Sequence, residues 1–399
     1  MTTVYDVTTF VSPSSTSPYT DIGTVINEIM ADIHATQSTQ STRPGAVIYI
    51  PPGHYDLLTR AVIDRSYIQI KGSGHGFMSN AIRDDEGHNT SGWFEIEPGG
   101  SHIRVKNTDG NSEAFIVQRS GAPTSVGRIN GVEFRDFCLD GVTGSRPYLP
   151  GSGKIGISFA SDNDSVRVEG MGFVYLSRAV RLFGADASYV INNFIGECGM
   201  GIEYVGGAIV PRVQDNTIVC PWAGHSIYIE NCQGALVTGN LMVWHGSVKF
   251  VNCSRSSITA NRFNSEWPGQ IELDDNCSQI LISGNQLYRE GLYHLDSTGP
   301  HDDLFGMMHL RGNGHTVTGN HLGFDIGSTA IRPSGAQPTF ILVASGSDDV
   351  IANNHIVTAT AGKVVLDSSV VNLKLIYTTF GAGQLTAHSG AGYAVVHLP

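Results

Sequence analysis

Two acids, Asp186 and Glu197, lie eleven positions apart in the stretch from Gly184 to Cys198. Breaking a glycosidic bond needs one group to protonate the departing oxygen and a second to deprotonate the incoming hydroxyl or attack the anomeric carbon. Two carboxyls roughly 5 to 10 Å apart can do both. Further along the chain come Trp222, Trp244, His245, Trp267, Tyr288 and Arg289, with Glu266 and Glu290 beside them. A sugar ring offers C–H faces and hydroxyls together, so aromatic faces next to hydrogen-bonding groups suit it. The same residues also fit a solvated face or a surface between subunits. Spacing alone does not choose.

What must position these side chains is a repeat. Val190-Ile191-Asn192-Asn193-Phe194-Ile195 returns as Val213-Gln214-Asp215-Asn216-Thr217-Ile218, Val237-Thr238-Gly239-Asn240-Leu241-Met242 and Ile258-Thr259-Ala260-Asn261-Arg262-Phe263, and again around Asn285, Asn320 and Asn354. The steps between these asparagines are 23, 24, 21, 24, 35 and 34 residues. One short apolar strand on each side of an Asn turn, every 21 to 24 residues, is what one coil of a right-handed parallel β-helix requires. The spacing predicts regular coils over 165–375 and an internal ladder of Asn amides. The two long steps predict insertions leaving the coil as loops, one of them around Asp296 to Asp303.

Four residues beyond the Asn, successive coils place Glu197, Cys220, Trp244, Ser265, Arg289 and Phe324 in one column, with Leu176 expected in the matching place one coil earlier. Cys232, Cys253 and Cys277 each stand eight residues before their Asn and are expected to stack inward as free thiols behaving as small hydrophobes. Neither the cysteine spacings nor the 15 histidines match a metal-ligand pattern, so no metal is expected.

Composition agrees with a β-rich solenoid. The 399 residues are 41% hydrophobic and 15% charged, enough for a large core, and 48 glycines favour tight turns over long helices. One long domain over 1–399 is expected, because a repeat can extend a single core. The only strong helix pattern runs from Asp21 to His34, where Ile22, Val25, Ile26, Ile29 and Ile33 share one face behind a candidate Asp21 N-cap. It would cap one end of the coil. Ala46 to Ile50 and Tyr67 to Ile70 read as strands closed by Pro51-Pro52-Gly53 and by Gly72 to Gly76, the latter a turn and not a phosphate loop.

The formal net charge of −12 argues against nucleic acid and against polyanionic polysaccharide such as pectate, leaving a neutral partner. No window reaches the roughly 18 apolar residues of a membrane span, and residues 1 to 20 carry no leader pattern. A cytoplasmic protein, or a secreted one whose leader has been removed, is expected.

The same stretch that holds the two acids, Gly184-Ala185-Asp186 through Ile195-Gly196-Glu197-Cys198-Gly199, resembles the active-site segment of the inulin fructotransferases and the related difructose dianhydride hydrolases. Tyr5-Asp6-Val7-Thr8-Thr9, Arg43-Pro44-Gly45-Ala46, Ile50-Pro51-Pro52-Gly53, Gly74-His75-Gly76-Phe77, Asp136 to Gly141, Ser161 to Ser165, Gly170 to Leu176 and Gly335 to Thr339 carry the resemblance over nearly the whole chain. It implies an all-β, pectate-lyase-like right-handed parallel β-helix, a homotrimer with sites between adjacent subunits, and Asp186 and Glu197 as the catalytic pair. The implied reaction is intramolecular fructosyl transfer. The terminal difructosyl unit of a β-2,1 fructan is cut off as its own hydroxyl closes on the anomeric carbon, giving a cyclic difructose dianhydride without a cofactor.

Cys220 to His225 and Trp244-His245-Gly246 depart from the family pattern and bear on whether a type I or a type III dianhydride forms. Glu197 is expected to be the acid and Asp186 the base. Half a coil separates them. Either the coil corner brings them together, or two subunits each supply one. Two other functions fit the same residues, a hydrolase opening the dianhydride to linear difructose and a non-catalytic β-helical carbohydrate-binding protein.

Overall fold

The computed structural model describes residues 3–36, 45–75, 100–106, 108–119, 128–141, 153–219, 224–265, 267–289, 305–324, 339–357, 363–376 and 385–396. The insertion around Asp296 to Asp303 lies outside them, as do Cys220, Trp222, Glu266 and Glu290. The chain is a right-handed parallel β-helix whose coils each run through three short strands, one per sheet. By contact it divides into two compact units, Met1–Arg212 with Pro221–Gly224, and Val213–Cys220 with His225–Pro399.

In the first unit, one sheet stacks Thr3–Asp6, Ala46–Tyr49, Ile68–Lys71, Glu133–Arg135, Arg167–Glu169 and Tyr189–Ile191. A second stacks Gly53–Leu57, Ser101–Val105, Cys138–Asp140, Gly172–Val174 and Phe194–Gly196. A third stacks Ala61–Ile63, Glu113–Val117, Ile155–Phe159, Arg178–Asp186 and Met200–Ile209. These pairings are parallel, with a register shift between Phe183 and Ala185 in the third sheet, and like residues form columns; Tyr55, Ile103, Leu139, Phe173 and Ile195 make one buried column of the second sheet. Coiling therefore begins near residue 46, well before the expected residue 165.

The reason for that difference lies at the coil corner. The residue before each ladder asparagine has positive φ, from Asn192 (56°) and Asp215 (55°) to Ala260 (55°) and Asn353 (52°). Gly170 (64°) and Asp136 (60°) make the same corner one and two coils earlier, but Met171 and Phe137 follow them instead of Asn. The corner geometry persists where the amide does not. Register shifts accordingly: Gly172 pairs with Phe194, so Tyr175 and not Leu176 shares the position of Glu197.

The helix spans Ile22–Thr36 and buries Ile22, Val25, Ile26, Ile29 and Ile33 with Gly23 and Met30, packing against strands Gly53–Leu57 and Ala61–Ile63. Asp21 does more than cap it. Its carboxylate accepts from the Thr24 hydroxyl at 2.7 Å and from the backbone N–H groups of Leu58 and Thr59 at 3.1 Å each, tying the helix start to the first coil. A side chain at Gly23 would meet the Thr59 carbonyl oxygen at 1.7 Å, so only glycine lets the helix approach this closely.

In the second unit the asparagine ladder is built as the spacing predicts. Each Oδ1 of Asn240, Asn261, Asn285, Asn320 and Asn354 accepts from the Nδ2 of the preceding ladder residue at 2.8–3.0 Å and from its backbone N–H at about 3.0 Å. Satisfying these buried amides inside the coil removes the cost of burying them unpaired. Cys232, Cys253 and Cys277 are buried free thiols, the expected inward column. The side-chain hydrogen bond with Cys232, ahead of burial, pushes the Cys253 thiol up to about 12.

Candidate active site

Asp186 and Glu197 both lie in the first unit, at opposite corners of the coil. Asp186 ends the nine-residue strand Arg178–Asp186 of the third sheet, and its side chain is 25% exposed. Its Oδ2 accepts from Nη2 of Arg128 at 2.5 Å, while Nη1 of Arg128 reaches Asp164 at 3.3 Å, so one guanidinium spans two acids on stacked strands. That bond to Asp186 is the first cause raising the Arg128 pKa above its ordinary value. Phe183, Ile209 and Val210 near this corner are exposed hydrophobics.

Glu197 follows strand Phe194–Gly196 of the second sheet and is 0% exposed. Its φ is +52°, matching +55° at Tyr175 directly below it in register. Tyr175 packs with Cys138 and Val174, on the outer side of this sheet, and Phe194 lies against that cluster. A non-glycine residue at this corner holds an unfavourable backbone conformation, as at other corners of the coil. Burial pushes the adjacent Cys198 thiol up to about 12, with the charges of Glu197 and Asp140 adding to it.

The strands set how far apart the two acids are. Arg178 pairs with Met200 and Asp186 with Ile209, and Glu197 stands three residues before Met200. At about 3.3 Å per residue, the Asp186 corner is roughly 30 Å along the strand from the Glu197 corner. Even a right-angle bend midway would leave roughly 20 Å, well beyond the 5 to 10 Å that one glycosidic bond requires. Of the two expected arrangements, the coil corner does not bring the acids of one chain together.

In the second unit, Trp244, Ser265, Arg289 and Phe324 pair in one column, as the spacing predicts. The column is not a continuous open wall. Trp244 is 36% exposed, whereas Ser265 and Arg289 are buried in this chain, as Glu197 is. His245 is also buried, its ring stacked on Trp267 at 4.1 Å and 25°. Trp222 lies outside the described residues.

One cavity on this unit sits on the outer face of its second sheet. It has a volume of about 290 Å³ and is lined by Arg262, Asn264, Gln286, Tyr288 and His321 over Phe263 and Leu287. Tyr288 is 38% exposed and offers a ring face to it. Sequence reasoning singled out Tyr288 but missed the other polar residues. Their signal was the alternation Arg262-Phe263-Asn264 and Gln286-Leu287-Tyr288, in which the first and third residues after the Asn point outward. Among the described residues no group of His, Cys, Asp or Glu is placed to hold a metal ion, and no helix is long and apolar enough to cross a membrane.

Comparison with known proteins bears on this geometry. Residues 284–399 match the family model for the β-helix repeat of inulin fructotransferase. The whole chain is 53% identical over 398 residues to the DFA-I-forming inulin fructotransferase of Arthrobacter globiformis, spanning 99% of that protein. It superposes on the crystal structure of DFA-IIIase from Arthrobacter chlorophenolicus A6 without its lid, at a TM-score of 0.87 with 36% identity over 100% of both chains. A mutant of that enzyme in complex with DFA-III aligns at 0.86 with 35% identity over 99% of each chain. At this identity over its full length, and with the matching repeat, the chain belongs to the inulin fructotransferase family.

Proposed function

We propose that this protein is an inulin fructotransferase that releases difructose dianhydride I, with Glu197 as acid and Asp186 as base. Its relative at 53% identity forms DFA-I, whereas the DFA-III-cleaving structures stand near 35%. Full-length identity to a DFA-I-forming fructotransferase is the observation that most favours transfer over hydrolysis. In transfer the substrate's own hydroxyl is the attacking group, held at the anomeric carbon by the molecule it belongs to.

In this reading Glu197 protonates the departing fructan oxygen while the carboxylate of Asp186 takes the proton of the attacking hydroxyl. The anomeric carbon exchanges one oxygen for another, and no cofactor takes part. Arg128 fixes the orientation of Asp186, whose partial exposure lets it return the proton to solvent. Because the acids of one chain stand too far apart, Asp186 of one chain works with Glu197 of an adjacent one in a homotrimer. The exposed Phe183, Ile209 and Val210 give that neighbour an apolar surface to cover. A polymeric substrate would be met outside the cell.

Incubation with inulin, and separately with purified difructose dianhydride, tests the activity. A cyclic difructose from inulin is expected. Linear difructose from the dianhydride alone would make the protein a hydrolase, and inertness to both would make it a binding protein. The cavity around Tyr288 would hold fructosyl units other than the two that leave. Tyr288→Ala should raise KM for inulin about fivefold, the effect of losing roughly 1 kcal/mol of ring contact, with kcat within twofold of wild type. Initial-rate kinetics on long-chain inulin check it.

A further inference from the structure

Another cavity of the second unit opens on the outer face of its third sheet. Strands Val248–Val251, Ile271–Leu273 and Met308–Leu310 stack there in parallel, and their register puts Lys249, Glu272 and His309 in one column. Phe305 stands before the last strand, and Asp274 and Arg311 come just after theirs. These side chains line a cavity of about 230 Å³.

Its walls hold one another in place. Nζ of Lys249 lies 3.2 Å from Oε2 of Glu272, and Nη1 of Arg311 lies 3.5 Å from Oδ2 of Asp275. Nε of Arg311 donates to Nε2 of His309 at 3.1 Å. Arginine only donates, so the buried His309 ring is neutral and carries its proton on Nδ1. Burial, followed by the charge of Arg311, agrees with this by pushing the His309 pKa down to about 4. The Phe305 ring meets the His309 ring at 4.0 Å between centroids, tilted by 44°. Gly269, at φ +73°, makes room for the arrangement: a side chain there would meet Oε1 of Glu272 at 2.8 Å and the Phe305 ring at 2.9 Å.

What the cavity can take follows from its charges. Cations and acids alternate around it, so an anion would meet Glu272 and Asp274, and a cation would meet Lys249 and Arg311. A neutral ligand rich in hydroxyls suits both, because a hydroxyl donates to a carboxylate and accepts from an ammonium or guanidinium. The Phe305 ring offers a face to C–H groups of the same ligand. At about 230 Å³ the space is smaller than the roughly 300 Å³ at which drug-sized ligand pockets begin, a size for one sugar ring.

We propose that this cavity is an auxiliary site for one fructosyl unit of a long fructan, separate from the cavity around Tyr288. This rests on fructan being the substrate. The two cavities lie on successive strands of the same coils, Arg262–Ser265 followed by Ile271–Leu273, and Gln286–Arg289 followed by Met308–Leu310. Gln270 ties the two faces together, its Nε2 donating to the Tyr288 carbonyl at 2.9 Å. A polymer held at one cavity is thereby kept close to the other, and two weak contacts on one molecule reinforce each other.

The test is native electrophoresis through gels cast with long-chain inulin, using chains that carry Glu197→Gln so that the polymer is not consumed. Lys249→Ala/Glu272→Ala removes both charges together, strands neither and leaves the net charge unchanged, so its mobility in a plain gel should match that of the parent. Phe305→Ala removes the ring face. Each should keep the parent's thermal midpoint and raise the inulin concentration that gives half-maximal retardation about fivefold, the effect of losing one ring contact or one pair of charged hydrogen bonds. Gels cast with dextran, a glucan, should retard none of the chains. Retardation by inulin equal to the parent's in the double variant overturns the site, and so does retardation by dextran that falls with the same substitutions. Cyclic difructose from inulin together with unchanged retardation removes the auxiliary site alone. Lost retardation in a protein whose wild type makes no difructose keeps the site and removes the proposed reaction.

Discussion

Glu197→Gln should give a folded protein whose release of cyclic difructose from inulin is down about a thousandfold, within the range that loss of a general acid costs. The amide matches the carboxyl in size, so the left-handed corner and the contacts of its neighbours survive. It cannot donate a proton to the departing oxygen. KM should change little, because the interaction removed is made chiefly in the transition state. Far-UV circular dichroism and the thermal midpoint should match wild type, which separates lost chemistry from lost structure. Retained activity in such a protein would remove Glu197 from the mechanism.

The largest effect on stability is expected at the ladder. Asn261 is 1% exposed; its Nδ2 donates to the Val237 carbonyl at 3.0 Å and to Oδ1 of Asn285 at 3.0 Å, and its Oδ1 accepts from the backbone N–H of Asn240 at 3.0 Å and from Nδ2 of Asn240 at 2.9 Å. Asn261→Ala therefore takes the side-chain partner from the Asn240 backbone N–H and from the Val237 carbonyl, while Asn240 Nδ2 keeps the Val213 carbonyl and Asn285 Oδ1 keeps the backbone N–H of residue 261. At about 1–3 kcal/mol for each unsatisfied group, partly relieved by water entering the small cavity, the loss should be about 3–5 kcal/mol. Asn261→Asp should cost a similar amount, since it keeps the acceptor but sets a carboxylate against the Val237 carbonyl and the Asn285 oxygen. Urea unfolding read by tryptophan fluorescence measures both. A shift equal to that of an exposed Asn→Ala change, under about 0.5 kcal/mol, would mean that the ladder is a consequence of coiling and not a support of it.

What was legible in the residues follows from what repeats. The ladder from Asn193 to Asn354 recurs at coil length, and its side chains satisfy one another, so residue type and spacing announce it together. The earlier coils keep the left-handed corner at Asp136 and Gly170 but place Phe137 and Met171 where the amide would be, and an apolar residue there is indistinguishable from any other core position. That is why the repeat reads as starting over a hundred residues late and why the Glu197 column was set one residue off, on Leu176 instead of Tyr175.

The candidate site was legible in part. Asp186 and Glu197 stood out through family resemblance, but nothing in their spacing shows that a nine-residue strand and its ten-residue neighbour hold them at opposite corners. The polar cavity around Tyr288 was hidden because Arg262, Gln286 and His321 read as ordinary outward strand residues. Arg289 read as a groove residue on column position, and in this chain it is as fully buried as Glu197.

The separation of the two acids makes the sharing of a site between chains the central claim. Its most direct measurement mixes Asp186→Ala and Glu197→Ala chains, each inactive alone, and assays the reassembled oligomers on inulin. A site built from Asp186 of one chain and Glu197 of its neighbour predicts that some interfaces in the mixture carry both intact acids, so that a substantial fraction of wild-type activity, on the order of a quarter per interface for random mixing, returns. Exchange of chains is confirmed by a mass tag on one partner. Verified mixed oligomers that remain as inactive as either parent would contradict the shared site.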